Sequence, residues 1–254
     1  MRPGDSAAFD RALQRARVSA YAPGEFVGQE SFMTAAEIRA LAVQAGVAPG
    51  VTVLDLCCGV AGPGRLLTRE LGCAYLGVDA SASAVAIARE RAGDLPCRFA
   101  TAHIPPLPAG SFDVVLLLET MLAFEDKDAL VREIAAALRP GGRLAFTLEE
   151  GPPLTTAEQA AMPDADTVWL TTLDAMAASL ERAGLVVTWQ EDHSHAHRAM
   201  AQALADAFAA DAEDIAAQIG RRALDELLAA HRLWIEWLGN ARVRKLALVA
   251  ERAY

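Results

Sequence analysis

VLDLCCGVAGPGRLL, residues 53–67, decides the fold. Its first half is a short apolar run, which reads as a buried strand spanning 51–56. Its second half turns through Gly59, Gly62 and Gly64 into RLLTREL, a helix ending at Gly72. A glycine turn between strand and helix lets the backbone bend sharply and lets a ligand approach it closely, and the helix N-terminus behind it presents unbonded N–H groups. Working outward, AYLGVD (74–79) reads as a second strand, and Ser81 caps a helix that ends at Gly93. CRFAT (97–101), DVVLLLE (113–119) and RLAFTLE (143–149) read as three further strands, with a helix over 126–138 stopped by Pro140-Gly141-Gly142. Strict alternation of strand and helix predicts a parallel sheet with helices on both faces.

The flanks read differently. Residues 5–20 form an amphipathic helix, 21–32 a loop, and Thr34 with Glu37 a capping box that starts a second helix. After a Pro-containing loop (151–170) come a helix near 172–183, a strand LVVTWQED (185–192), two Ala-rich helices within 196–238 parted near Gly220, and a final strand VRKLALVAER (243–252). The chain thus divides into N-terminal helices and lid (1–50), a core (51–192), a helical cap inserted between the last two strands (193–242) and the final strand of the core (243–254).

The second strand ends in Asp79, twenty residues after Gly59. A carboxylate there accepts hydrogen bonds from both hydroxyls of a ribose. Two nucleoside cofactors use such a layout, the dinucleotides and S-adenosylmethionine. The dinucleotide turn needs G-x-G-x-x-G, whereas Gly59, Gly62 and Gly64 give G-x-x-G-x-G, and no G-K-[ST] follows to make a P-loop.

Four blocks, LDLCCGVAGPGRL, YLGVDAS, PPLPAGSFDVVLLLETM and LRPGGRLAFT, stand in order. Over about residues 21–252 the chain resembles the class I S-adenosylmethionine-dependent methyltransferases of the small-molecule type. The resemblance implies an α/β, Rossmann-like, seven-stranded and mostly parallel sheet whose last strand is antiparallel beside the fifth. It implies that helices before residue 50 and after 194 cover the substrate. It also places the cofactor against Tyr21 and Gln29 of the N-terminal loop, Asp55, Cys57 and Gly59 of the turn, Asp79 and Ala80, and Leu118. The chain departs from the family pattern where Cys57 and Ala61 replace two motif glycines. The acidic residue usual after the third strand is absent, so adenine falls to Thr101, Ala102 or His103. Ala123 stands where many members carry a histidine.

Methyl transfer is an in-line displacement at a sulfonium methyl, and the enzyme mostly supplies position. Glu119 ends the fourth strand at the sheet's carboxyl edge, where open α/β sheets bind ligands, and it is the candidate to orient an amine or accept a proton. Glu149 and Glu150, ending the fifth strand, read as solvated or paired with a loop. His193, His195 and His197 alternate; on a strand they would share a face. His193 is the second catalytic candidate and His195 a substrate contact. No metal is expected, because no carboxylate or thiolate completes the histidines. Phe32, Met121, Trp169 and Trp234 are the remaining substrate-facing candidates; Trp234 and Trp237 also fit a core stripe.

The 254 residues carry 23 Lys+Arg against 33 Asp+Glu, a formal net charge of −10, which disfavours nucleic acid and anionic membrane as partners. MRPGDSAAFDR has no apolar core of a signal peptide, and four cysteines without a C-x-x-C pair read as reduced thiols in a cytoplasmic protein. Expected is methyl transfer to a small molecule. The alternatives are a non-methylating reaction on the same fold, such as cyclisation or decarboxylation, and an inactive cofactor-binding module.

Overall fold

The computed structural model describes residues 11–253. The first six residues of the helix expected at 5–20 lie outside that range, and the helix is described over Arg11–Ala20 (α1). Thr34 caps α2 (Ala35–Gln44), and both halves of its capping box with Glu37 are formed. Seven strands follow: β1 (Thr52–Leu56), β2 (Ala74–Asp79), β3 (Cys97–Thr101), β4 (Phe112–Leu117), β5 (Leu138–Glu150), β6 (Leu185–Asp192) and β7 (Arg244–Arg252). They form one sheet in the order β3-β2-β1-β4-β5-β7-β6, in which only β7 runs antiparallel to its neighbours. Crossover helices α3 (Gly62–Leu71), α4 (Ala82–Ala92) and α5 (Lys127–Ala137) cover the two faces.

Alternation on the strands splits the core into two layers. Leu54, Leu56, Val115, Leu117, Phe146 and Leu248 pack on one face, and Val53, Val114, Leu116, Ala145, Ala247 and Val249 on the other. β1 and β4 are buried on both faces, which is why VLDL and VVLL read as unbroken apolar runs.

The loop 151–170 contains a short helix α6 (Thr156–Ala161), and α7 (Leu173–Arg182) leads into β6. Between β6 and β7 stand three helices rather than two: α8 (Ser194–Ala210), α9 (Ala212–Ile219) and α10 (Arg221–Gly239). The expected break at Gly220 is present at φ 90°, and a further break falls at Asp211. These helices and α1 share a third core around Leu13, Leu204, Phe208, Ile215 and Leu224.

Candidate cofactor cleft and buried charge cluster

A cleft of about 890 Å³ opens at the carboxyl edge of β1, β2 and β4. Asp55, Cys57 and Gly59 line its floor, Asp79 stands at the end of β2, and Leu118 and Thr120 follow β4. Asp79 is held by the turns: Gly59 N donates to its Oδ2 at 2.9 Å and Ser81 N to its Oδ1 at 2.8 Å. Gly59 has φ 54°, and nothing lies within 4 Å of the place a Cβ would take. The floor of the turn is therefore open to a ligand beside a fixed carboxylate, and the arrangement fits the adenosine part of S-adenosylmethionine.

The replaced glycines keep a left-handed backbone, with Cys57 at φ 57° and Ala61 at φ 56°. Burial, and then Asp79, push the Cys57 thiol up to about 12, so it is a small neutral filler rather than a nucleophile. Beneath the floor Tyr75 donates to Asp55 Oδ2 at 2.6 Å. Burial pushes the Asp55 carboxyl up to about 7, against the opposing hydrogen bond from Tyr75. Gly64 makes room for that ring: a Cβ there would lie 2.0 Å from Tyr75 Cζ.

Of the other cofactor candidates, Gln29 lines the roof, but its amide folds its own loop, accepting from Val27 N and donating to the carbonyls of Glu25 and Met33. Tyr21 is buried beside Phe26, donates to the Ser31 carbonyl, and does not line the cleft. Ala80, Thr101 and His103 are exposed and Ala102 packs on the core; none of the four lines the cleft. Its far wall is Ser83, Ala84 and Ile87 of α4, which the sequence reading did not select. The roof is completed by Ile219, Arg222, Ala223 and Glu226 at the α9–α10 junction.

Glu119 does not line this cleft. At φ 57° its side chain turns toward β7, where Lys245 Nζ donates to Glu119 Oε2 and Glu149 Oε1, each at 2.6 Å. The three side chains are 7%, 1% and 5% exposed for Glu119, Glu149 and Lys245. Burial pushes the Glu119 carboxyl up, but the Lys245 ammonium and then His197 outweigh it, so the group lies below the usual carboxylate range. Burial likewise pulls Lys245 down, and Glu119 with Glu149 more than reverse this. The reading of Glu149 as solvated is thus corrected: it is a buried partner of an ammonium. Glu150 does pair with its surroundings, through Arg244 and Leu173 N.

Phe32 and Trp234 put their rings 5.2 and 5.7 Å from Lys245 Nζ, so both stand at the charge cluster. The histidines are not on a strand. Ser194 N donates to Asp192 Oδ1 at 2.8 Å and α8 begins there, so His193 and His197 fall one helical turn apart while His195 turns outward and is exposed. His193 Nδ1 lies 3.1 Å from Glu37 Oε1, and His197 Nε2 lies 3.3 Å from Glu37 Oε2. The carboxylate missing from the sequence reading is thus Glu37, seen there only as half of a capping box.

Two further candidates are corrected. Met121 is fully buried in the core. Trp169 lines a separate cleft of about 700 Å³ with Lys127, Met176 and Ser179, and donates its indole N–H to Asp166 O.

Residues 54–146 match the family model described as a methyltransferase domain. The methyltransferase GfsG of Streptomyces halstedii is 36% identical over 106 residues, 39% of this chain and 38% of that protein. The 27-O-demethylrifamycin SV methyltransferase of Amycolatopsis mediterranei is 34% identical over 164 residues, 59% of this chain and 60% of that protein. The chain therefore spans less than two thirds of either relative. Among solved structures, the [4+2]-cyclase SpnF superposes with a TM-score of 0.74 at 22% identity, covering 95% of this chain and 92% of that one. The match thus spans the glycine turn, Asp79 and Glu119, and what it shows is a methyltransferase domain over residues 54–146 of the chain.

Proposed function

We propose that the protein transfers the methyl group of S-adenosylmethionine to a small organic molecule. The observation that carries this is Asp79, clamped by Gly59 N and Ser81 N at the edge of an open glycine turn, within the segment that matches the methyltransferase domain. Asp79 accepts the ribose hydroxyls, Gly59 and Cys57 leave room for the amino-acid part, and Ser83, Ala84 and Ile87 flank the base. When bound, the cofactor supplies an electrophilic methyl. The protein supplies position: Gln29, Met33 and the α9–α10 junction roof the cleft that would hold the cofactor.

The acceptor belongs beside Phe32 and Trp234, where the buried charges of Glu119, Lys245 and Glu149 meet the cap. In this reading Glu119 acts on the acceptor indirectly, by fixing the Lys245 ammonium. The net charge of −10 supports a small substrate over nucleic acid, and the four free cysteines support a cytoplasmic setting. Among the described residues no helix is long and apolar enough to cross a membrane.

The likeness to a cyclase keeps a second reading in play, a reaction on this fold without methyl transfer. Calorimetric titration with S-adenosylmethionine, followed by a screen of amine, hydroxyl and carbon acceptors for S-adenosylhomocysteine release, separates the two. Absence of binding overturns both. Binding without methyl transfer to any acceptor overturns the first.

A further inference from the structure

Among the described residues, one group of three histidine, cysteine or carboxylate side chains brings its donor atoms together: Glu37, His193 and His197, within 4.8 Å of one another. Its construction is simple. α8 places His193 and His197 one turn apart with their rings stacked at 5.5 Å and 17°, and α2 brings Glu37 against both. Metal–ligand bonds of about 2.0–2.2 Å put neighbouring donors roughly 2.8–3.6 Å apart in octahedral or tetrahedral spheres. The two nitrogens stand 3.1 and 3.3 Å from the oxygens of Glu37.

The atoms behind these donors are arranged as they are behind metal-binding histidines, whose second ring nitrogen faces a carboxylate or carbonyl. His193 Nε2 faces Glu191 Oε2 at 3.7 Å, and His197 Nδ1 faces Glu119 Oε1 at 4.0 Å. Glu37 Oε2 is itself oriented by Thr34 N at 2.7 Å. The last two atoms of the His197–Glu119 pair are buried and have no hydrogen-bond partner. A neutral His197 has one N–H and two carboxylates to satisfy. If it donates to Glu37, a lone pair faces Glu119; if it donates to Glu119, a lone pair faces Glu37.

Charge points the same way. Among the described residues, Glu119 and Glu149 share the Lys245 ammonium, with Lys127 farther from Glu149, while Glu37 meets the two imidazoles, so negative charge is left over when those rings are neutral. Buried charge without compensation is costly. Two imidazolium rings would cancel it, but they would be stacked face to face at 5.5 Å. A divalent cation cancels it with both rings neutral. Bound at His197 Nε2, it leaves the proton on Nδ1, aimed at Glu119 Oε1.

We propose that Glu37, His193 and His197 bind one divalent first-row transition-metal ion of the zinc(II) type. Two nitrogens and one carboxylate suit such an ion, and three protein ligands leave a fourth position for water or a substrate oxygen. The side chains of His193 and Glu37 keep 12% and 14% exposure, which gives the ion a way in. The proposal does not depend on the methyl-transfer reading.

The test uses the whole chain, freed of metal with a chelator and titrated with Zn²⁺ alone and with Co²⁺ alone. One equivalent should bind, and the cobalt form should show d–d absorption. Glu37→Gln keeps a residue able to complete the capping box and so a folded α2. It and His193→Gln should each weaken binding at least 100-fold with an unchanged circular dichroism spectrum. His195→Gln, on the exposed side of α8, should bind like the parent. Failure of the parent chain to bind one equivalent overturns the proposal, as does equal binding by Glu37→Gln and His193→Gln. Ring chemical shifts showing both imidazoles protonated in neutral buffer with zinc present also overturn it.

Discussion

Replacing Lys245 with methionine removes a buried ammonium while nearly preserving its length. In the parent chain that ammonium makes two contacts of 2.6 Å with carboxylates that are 7% and 1% exposed. Breaking a buried ion pair by removing one partner costs about 3–5 kcal/mol, and here two carboxylates lose the same cation, so the upper part of that range is expected at about pH 8. The pH dependence carries the more specific signature. In the parent, Glu119 titrates below its ordinary value of 4.5, so its contribution is present above that value and lost as pH falls through the folded one. Lys245 titrates above 10.5; its contribution is present below that value and lost as pH rises through the folded one. Between these limits Glu119 and Lys245 give no slope.

In Lys245→Met the sign at Glu119 reverses. Burial now acts without the opposing ammonium, so the folded state takes up a proton before the unfolded state does. Stability then rises as pH falls, by at most about 1.4 kcal/mol per pH unit for each proton taken up. Urea unfolding followed by circular dichroism at about pH 8 and pH 5.5 measures both quantities. The deficit relative to the parent should be about 3–5 kcal/mol at the higher pH and smaller by at least about 1 kcal/mol at the lower. A deficit below about 1 kcal/mol at pH 8, or one equal at both values, would refute a buried ion triad.

Asp79→Ala leaves the ribose hydroxyls unpaired and should weaken S-adenosylmethionine by about 1.5–3 kcal/mol; unchanged calorimetric affinity would remove Asp79 from the site. Tyr75→Phe removes the hydrogen bond to Asp55. The Asp55 carboxyl sits near 7, above its ordinary 3.8, so its contribution is fully present below 3.8 and lost as pH rises through about 7. The variant should therefore lose about 1–3 kcal/mol at pH 8 and less at pH 5.5 in urea unfolding. Gly62→Ala points a Cβ at 2.6 Å from Val27 O and 2.7 Å from Gly28 C, backbone that cannot rotate away. It should cost about 1–3 kcal/mol and weaken cofactor binding by lifting the loop 21–32, as unfolding and calorimetry would show. Hydrogen exchange at the α9–α10 junction should slow when S-adenosylhomocysteine enters the cleft that Ile219 and Ala223 overhang; identical exchange would make the junction a fixed wall.

Periodicity and turn chemistry are local, and the parts of the molecule they govern were legible. β1, the glycine turn and Asp79 lie within thirty residues and carry their own signals. The charge cluster was not legible, because its members meet only after folding: Lys245 lies 126 residues from Glu119 and 96 from Glu149. One signal was available, a lysine at the head of the apolar run LALVA (246–250), since a buried lysine requires a partner. The histidines failed for a different reason. Alternation in DHSHAH imitates a strand, while an aspartate two residues before Ser194 starts a helix, and a helical turn pairs His193 with His197 instead of His195. Thr101 and His103 were chosen from the family position of the adenine contact, yet the wall of the cleft is α4, whose small residues give no pattern to read.

β6 and β7 are hydrogen-bonded neighbours, with Asp192 paired to Leu246, so the segment between them leaves and re-enters the sheet at adjacent points about 4.8 Å apart. Antiparallel strands that close need only a two-residue hairpin to join them. About fifty residues, with an apolar core of their own, are therefore hung from a gap that a tight turn would bridge. In evolutionary and engineering terms α8–α10 form an exchangeable cassette: its replacement leaves every strand register intact and Asp79 and Gly59 untouched. The seams along which it would part from the rest include α1, whose apolar face it shares, Trp237 against Leu154, Met162 and Leu170, Trp234 over Lys245, and the Glu37–His193–His197 contact.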